Sequence, residues 1–288
     1  MRWRAGARSG DVEDRRGESA RPRGFGVGPR LGLGGLLLLL VLSVVLKQDF
    51  FTLLESVPGA AGPGTDPAAP ARTATPGEEK LVDFVDFVVS DVQDTWTSEF
   101  QALGRPYERA KLVLFTDAVR SGCGFAETAM GPFYCPADNK VYVDLGFYQE
   151  LRSRFGAPGD FAQAYVIAHE VGHHVQHLLG LEQQLREAQQ RSPAEAAPLS
   201  VRFELQADCL AGVWAHSTQQ RNLLDAGDVE EGLAAAAAVG DDRIQRQATG
   251  VVNPETWTHG SSRQRVRWFR TGFERGRVDV CDTFASAD

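Results

Sequence analysis

Four absences narrow what this 288-residue chain can be. Its four cysteines include no C-x-x-C pair, so a structural zinc knuckle has no framework. No cysteine stands directly after its one long apolar run, which excludes lipoprotein processing. No internal repeat is visible, so solenoids and propellers are out. Basic charge is scarce past residue 30: the first thirty residues hold eight of the 30 basic and four of the 38 acidic residues, leaving an acidic remainder. That balance argues against nucleic acid as a partner. The Arg263, Arg265, Arg267 and Arg270 cluster reads as the solvated face of a helix.

The apolar run is Leu31 to Leu46, sixteen uncharged and almost wholly aliphatic residues. As a helix it spans about 24 Å, short of the roughly 30 Å hydrocarbon core. Arg30 and Lys47 can snorkel at its ends, and Phe50 and Phe51 suit an interface. Basic charge precedes the run, so the positive-inside rule puts the N-terminus in the cytoplasm and the rest outside. The expected order is a basic cytoplasmic segment over 1–30, a transmembrane anchor over 31–54, a linker over 55–78 and one domain over 79–288. Pro58, Pro63, Pro67, Pro70 and Pro76, with many Ala and Gly, give the linker its extended character. A cleaved signal peptide ending near Gly59-Ala60-Ala61 is the alternative to an anchor. All four cysteines lie beyond the run, and an even count in an oxidising compartment suggests two disulfides. Three pairings are possible. Cys123–Cys135 is expected to close a loop around Met130-Gly131-Pro132, and Cys209–Cys281 to tie a helix to the C-terminal tail.

Residues 169–174 read His-Glu-Val-Gly-His-His, which contains a complete H-E-x-x-H. On a helix, His169 and His173 stand one turn apart on one face, within reach of one zinc ion. Glu170 lies beside them, where a carboxylate can take a proton from an activated water. The residues around the motif favour that helix: Asp160 stands as N-cap, an Ala/Val/Ile-rich stretch follows, and Gly180 makes a C-terminal stop. A helix this apolar belongs in a core, with its polar stripe on a cleft.

A catalytic zinc takes three protein ligands and keeps one open position. The metzincin extension is closed, because it needs Gly at 176 and His at 179 and the chain has Gln176 and Leu179. His174 faces elsewhere, and His177 is about 12 Å from His169 along a helix axis. Downstream, Glu204 and Asp208 stand at i and i+4 on a second expected helix beginning near Ser200, among Phe203, Leu205, Leu210 and Trp214. Glu204 is the expected third ligand. Asp208 is expected to orient a ligating His through its second ring nitrogen.

Four stretches now stand in order: Gly131-Pro132-Phe133-Tyr134-Cys135-Pro136-Ala137-Asp138, Ala164 to His174, Glu204-Leu205-Gln206-Ala207-Asp208-Cys209, and Thr258-His259-Gly260-Ser261-Ser262. With the opening Asp11-Val12-Glu13-Asp14-Arg15-Arg16-Gly17, they resemble the bacterial putative neutral zinc metallopeptidase family. The likeness covers nearly the whole chain outside the linker and implies a membrane-associated zinc peptidase. The chain departs from the family pattern at His177, where Asn is expected.

Residues 80–102, 147–155, 228–239 and 264–274 carry further helical patterns, and 111–115 and 140–145 read as strands. A small sheet followed by packed helices is an α+β arrangement, here a zincin-like domain behind the anchor. One strand is expected along the cleft, where an extended peptide can pair with it. With zinc on His169, His173 and Glu204, a bound water becomes acidic enough to attack a peptide carbonyl. Glu170 accepts its proton and passes it to the leaving amine. His259 is the first candidate for a donor to the oxyanion, with Tyr134, Tyr148 and Tyr165 as rivals. The expected partners are zinc, a peptide or protein substrate, and a membrane contacted through 31–54. A non-catalytic zinc or partner-binding module, and a zinc amidase for cell-wall peptides, are the alternatives.

Overall fold

The structure is a computed structural model that describes residues 1–18, 74–127, 131–153, 156–157 and 159–285. Its sheet begins almost at the N-terminus. Val12–Asp14 (β1) precedes a long helix, Pro76–Ala102 (α1), and then come Lys111–Phe115 (β2), Ala118–Ser121 (β3), Gly124–Glu127 (β4), Phe133–Cys135 (β5) and Lys140–Asp144 (β6). The main sheet has the order β1-β2-β6-β5; β1, β2 and β6 are parallel, and β5 is antiparallel to β6 at the edge. β3 and β4 form a separate hairpin.

β2 and β6 are apolar at nearly every position because both faces are covered. Leu112, Leu114, Val141 and Val143 point into the main core. Val113, Phe115 and Tyr142 point the other way, against Val119 and Ala126 of the hairpin and Cys135 of the edge strand. Phe133 stacks on Tyr142 across the β5–β6 pair, with centroids 4.9 Å apart. The Cys123–Cys135 disulfide ties the hairpin turn to the edge strand.

The helical layer continues with Leu145–Ser153 (α2), Asp160–Leu178 (α3), Leu181–Arg191 (α4), Ala196–Gln220 (α5), Asp228–Ala238 (α6), Asp241–Thr249 (α7) and Ser262–Arg275 (α8). α3 is buried on almost every face, in keeping with its Ala/Val/Ile-rich sequence, and its polar residues are enclosed with the rest. α5 and α8 approach so closely that a Cβ on Gly272 would lie 1.9 Å from the Cys209 carbonyl oxygen, and one on Gly212 2.1 Å from that of Phe269. Cys209–Cys281 fastens the C-terminal segment to α5. Both disulfides therefore have the expected pairing.

The α+β arrangement is as expected, but three boundaries differ. α3 has Gly159, not Asp160, at its N-cap, and the Asp160 carboxylate accepts from the Met1 amino group at 2.9 and 3.1 Å. α1 starts at Pro76, three residues ahead of the expected domain start, because Thr75 and Glu78 form a capping box. Residues 1–18 are not a separate basic segment: β1 takes its place in the sheet and the described residues on both sides of 19–73 form one unit. Strands paired backbone to backbone share one side of any membrane. The expected anchor at 31–54 and most of the 55–78 linker lie outside the described residues, among which no helix is long and apolar enough to cross a membrane.

Candidate active site

α3 carries His169, Glu170 and His173, and α5 carries Glu204 and Asp208. The two helices meet at Gly172, where a Cβ would lie 3.1 Å from the Ala207 carbonyl oxygen. That approach brings Glu204 over both imidazoles. Glu204 Oε2 is 3.2 Å from His169 Nε2, and its Oε1 is 3.5 Å from His173 Nε2. One ligand atom from each of the three residues lies within 4.8 Å of the others, a spacing that one ion can bridge.

Each imidazole is held from behind. His169 Nδ1 donates to Asp208 Oδ1 at 3.0 Å. His173 Nδ1 donates to Gln176 Oε1 at 2.8 Å, and that amide is fixed because its nitrogen donates to the Phe203 carbonyl and to Gln206 Oε1. Gln206 in turn donates to the Cys281 carbonyl, beside the second disulfide. Both Nε2 atoms are thereby presented to Glu204. Holding the far ring nitrogen in this way fixes tautomer and orientation for a metal.

The electrostatics agree. Burial works against a charged His169, but its hydrogen bonds to Asp208 and Glu204 outweigh burial and raise the ring from 6.5 to about 9. Burial also opposes a charged His173, and the nearby Glu204 charge raises it. Glu204 is held well below the usual carboxylate range despite burial, chiefly by the His173 charge and the His169 hydrogen bond. A buried carboxylate facing two imidazoles seeks a cation, whether protons or a metal ion.

These groups open on a cleft of about 590 Å³ that Glu170, His259 and Arg265 also line. Apolar walls come from Phe133 and Tyr134 of β5, Phe147 of α2, Phe203 of α5 and Ile244 of α7. His259 belongs to a loop wound around Asp241, whose Oδ2 accepts the backbone N–H groups of Thr258, His259 and Gly260. Asp241 Oδ1 accepts from His259 Nδ1 at 3.2 Å and raises its pKa, against the effect of burial.

Each expected site residue can now be located. His169, Glu170, His173, Glu204 and His259 line one cleft, with Asp208 directly behind His169. The tyrosine rivals are engaged or enclosed: Tyr165 donates to Asp208, Tyr134 lies 3.0 Å from His174 Nδ1, and Tyr148 is fully buried. His174 is structural, its Nε2 meeting the Glu108 carbonyl at 2.6 Å, and His177 is held by Glu182 at 2.9 Å. The arginine cluster corrects the expectation of a solvated face at one position. Arg263, Arg267 and Arg270 are exposed, but Arg265 is 4% exposed and forks onto Asp208. Gln176 was also missed as a partner of His173, although its i+3 spacing from that residue was a usable signal.

A family described as "Putative neutral zinc metallopeptidase" matches residues 1–284. The chain belongs to this family. Among its relatives, the Escherichia coli K12 protein "Uncharacterized protein YpfJ" is 47% identical over 292 aligned positions, covering all of both chains. The Mycobacterium tuberculosis protein "Uncharacterized protein Rv2575" is 51% identical over 193 positions, covering 63% of this chain and 64% of its own. No solved structure gives a significant match. The family's span includes β1, in keeping with the place of that strand in the sheet.

Proposed function

We propose that the protein is a zinc metallopeptidase that hydrolyses peptide bonds in polypeptides. The observation carrying this is the convergence of His169, His173 and Glu204 within 4.8 Å in a cleft that also holds Glu170. The donor set fits zinc: two neutral imidazole nitrogens and one carboxylate leave a fourth position open. Bound there, zinc supplies Lewis acidity to a carbonyl and acidifies water.

The chain's own groups do the rest. Glu170 takes the proton of the attacking water and returns it to the departing amine, a role for a carboxylate only 7% exposed at the cleft wall. His259, kept protonated over a wider pH range by Asp241, donates to the developing oxyanion. The zincin-like feature is the edge strand. Among the described residues β5 pairs only with β6, and its Phe133 and Tyr134 line the cleft, so an extended substrate can add to its other edge.

We also propose that the unit works in an oxidising, extracytoplasmic compartment, because both pairs of cysteines are bonded, and that 31–54 ties it to the membrane. On this proposal residues 1–18 face the same compartment as the cleft.

The test uses the full chain beside Glu170→Gln, because a fragment starting at 79 would lack β1. Bound zinc is assayed together with cleavage of a broad peptide library, unfolded casein and purified peptidoglycan. The expected result is about one zinc in each protein, with peptide and casein cleavage falling roughly 10²–10⁴-fold in the variant. Zinc in both and cleavage by neither points to a binding module. Cleavage of peptidoglycan alone makes the protein a cell-wall amidase.

A further inference from the structure

Asp208 is a fully buried carboxylate with an unusually complete set of donors. Its Oδ1 accepts from His169 Nδ1, from the Tyr165 hydroxyl and from Arg265 Nη2 at 2.9 Å, and its Oδ2 accepts from Arg265 Nε at 2.8 Å. Arg265 is itself 4% exposed, and its Nη1 donates to the Val239 carbonyl at 3.2 Å. An ion pair this dry costs several kcal/mol of desolvation per charge, so an arginine is a poor choice here if packing is the only need.

We infer that Arg265 is a positioning residue for the metal site, acting on His169 through Asp208. This rests on the zinc site proposed above. A carboxylate bound only to a histidine can rotate about its last side-chain torsion, which is broad and has no sharp minimum. The arginine fork removes that freedom, because two parallel N–H donors fix the carboxylate plane. With the plane fixed, Oδ1 holds the His169 ring with Nε2 directed at Glu204, 3.2 Å away. The guanidinium also offsets the Asp208 charge, so the metal position faces the Glu204 and Glu170 carboxylates without a third uncompensated one behind them. Arg265 lines the cleft, and its Nη2 also reaches the Tyr165 hydroxyl at 3.2 Å and lies 3.3 Å from His169 Nδ1, but its fork is committed to Asp208, which distinguishes it from an oxyanion donor.

The test is a double-mutant cycle on the full chain, read as zinc affinity by competition with a chromophoric chelator. The proteins are wild type, Arg265→Met, Asp208→Leu and the double variant. Because an unpaired buried charge can prevent folding, the double variant, which removes both charges, keeps the comparison open. Arg265→Met is expected to bind zinc roughly 10–100-fold more weakly than wild type. Asp208→Leu and the double variant should agree within about threefold: Arg265 Nη2 also lies 3.3 Å from His169 Nδ1, but with a metal on Nε2 that nitrogen carries the ring proton, so the two are both donors and form no bond. A second readout is the low-field Nδ1–H proton signal of zinc-loaded His169, expected in wild type and broadened in Arg265→Met. Wild-type affinity in Arg265→Met overturns the inference. So does a double variant about tenfold or more weaker than Asp208→Leu, which would mean that Arg265 acts by another route. If wild type itself fails to compete for zinc, the metal site falls, and the inference with it.

Discussion

Gly272→Ala tests how the fold builds the site. In an ordinary helix this change stabilises by roughly 0.5–1 kcal/mol, because glycine loses more backbone freedom on folding than alanine. Here the new Cβ would sit 1.9 Å from the Cys209 carbonyl oxygen and 3.0 Å from the Val213 amide nitrogen. Both are backbone atoms and cannot rotate away. Non-bonded atoms settle at 3.5–4.0 Å, so α5 and α8 must part by about 1.5 Å. Overpacking costs about 1–3 kcal/mol where side chains can give, and the upper end applies where only backbone can move. The expected net loss is about 2–3 kcal/mol, a fall in Tm of roughly 4–12 °C for a unit of this size. The same separation stretches the Arg265–Asp208 fork, now 2.8 and 2.9 Å, beyond hydrogen-bonding reach. Zinc affinity should therefore fall along with stability. Urea unfolding of the full chain, beside Gly77→Ala, gives the measurement. Gly77 is exposed near the start of α1, with only the Thr75 hydroxyl at 4.0 Å, so its replacement should be neutral or mildly stabilising. A Gly272→Ala protein as stable as wild type would refute the close-approach account.

Three further outcomes follow from the site. His169 without metal is raised from 6.5 to about 9 and His173 is also raised, so zinc must displace protons from them. Binding at pH 7 should release about one proton or more and tighten as pH rises towards 9, which calorimetry in two buffers of different ionisation heat can read; zero release contradicts the pairing with Glu204. The metal-free protein runs in the opposite sense: a pKa raised in the fold stabilises fully below pH 6.5, and that stability fades as pH climbs through 9. Gln176→Leu removes the acceptor for His173 Nδ1 and should weaken zinc binding roughly tenfold or more with the main core unchanged; unaltered affinity would make that hydrogen bond incidental.

What the sequence displayed and what it hid divide along local and distant chemistry. The motif helix was legible because H-E-x-x-H is a spacing rule within one element. Glu204 and Asp208 were legible as an i, i+4 pair in an apolar setting. β2 and β6 stood out because two-sided burial leaves continuous apolar runs. β1 did not, since Val-Glu-Asp has no apolar pattern. It is held instead by its backbone register with Leu112–Leu114 and by Lys140 on Glu13 at 2.8 and 2.9 Å. Counting charge over the first thirty residues buried that strand in an arginine-rich average. Arg265 was hidden for a related reason. Its neighbours Arg263, Arg267 and Arg270 are exposed, and nothing local separates it from them.

Its partner Asp208 lies 57 positions away, and only the crossing of α5 and α8 joins the two. That crossing requires glycine on each side, and the meeting of α3 with α5 favours a third at Gly172, where a Cβ would lie a tight 3.1 Å from the Ala207 carbonyl oxygen. Each of the three glycines stands close in sequence to a residue of the site: Gly172 beside His173, Gly212 one turn beyond Asp208, Gly272 two turns beyond Arg265. The side chains that would gather around a metal are short or rigid, so imidazole and carboxylate cannot bridge a wide gap between helices. Backbones must come to them. On this account the glycine inside H-E-V-G-H serves the site as directly as the histidines flanking it, by setting the distance at which Glu204 meets both rings.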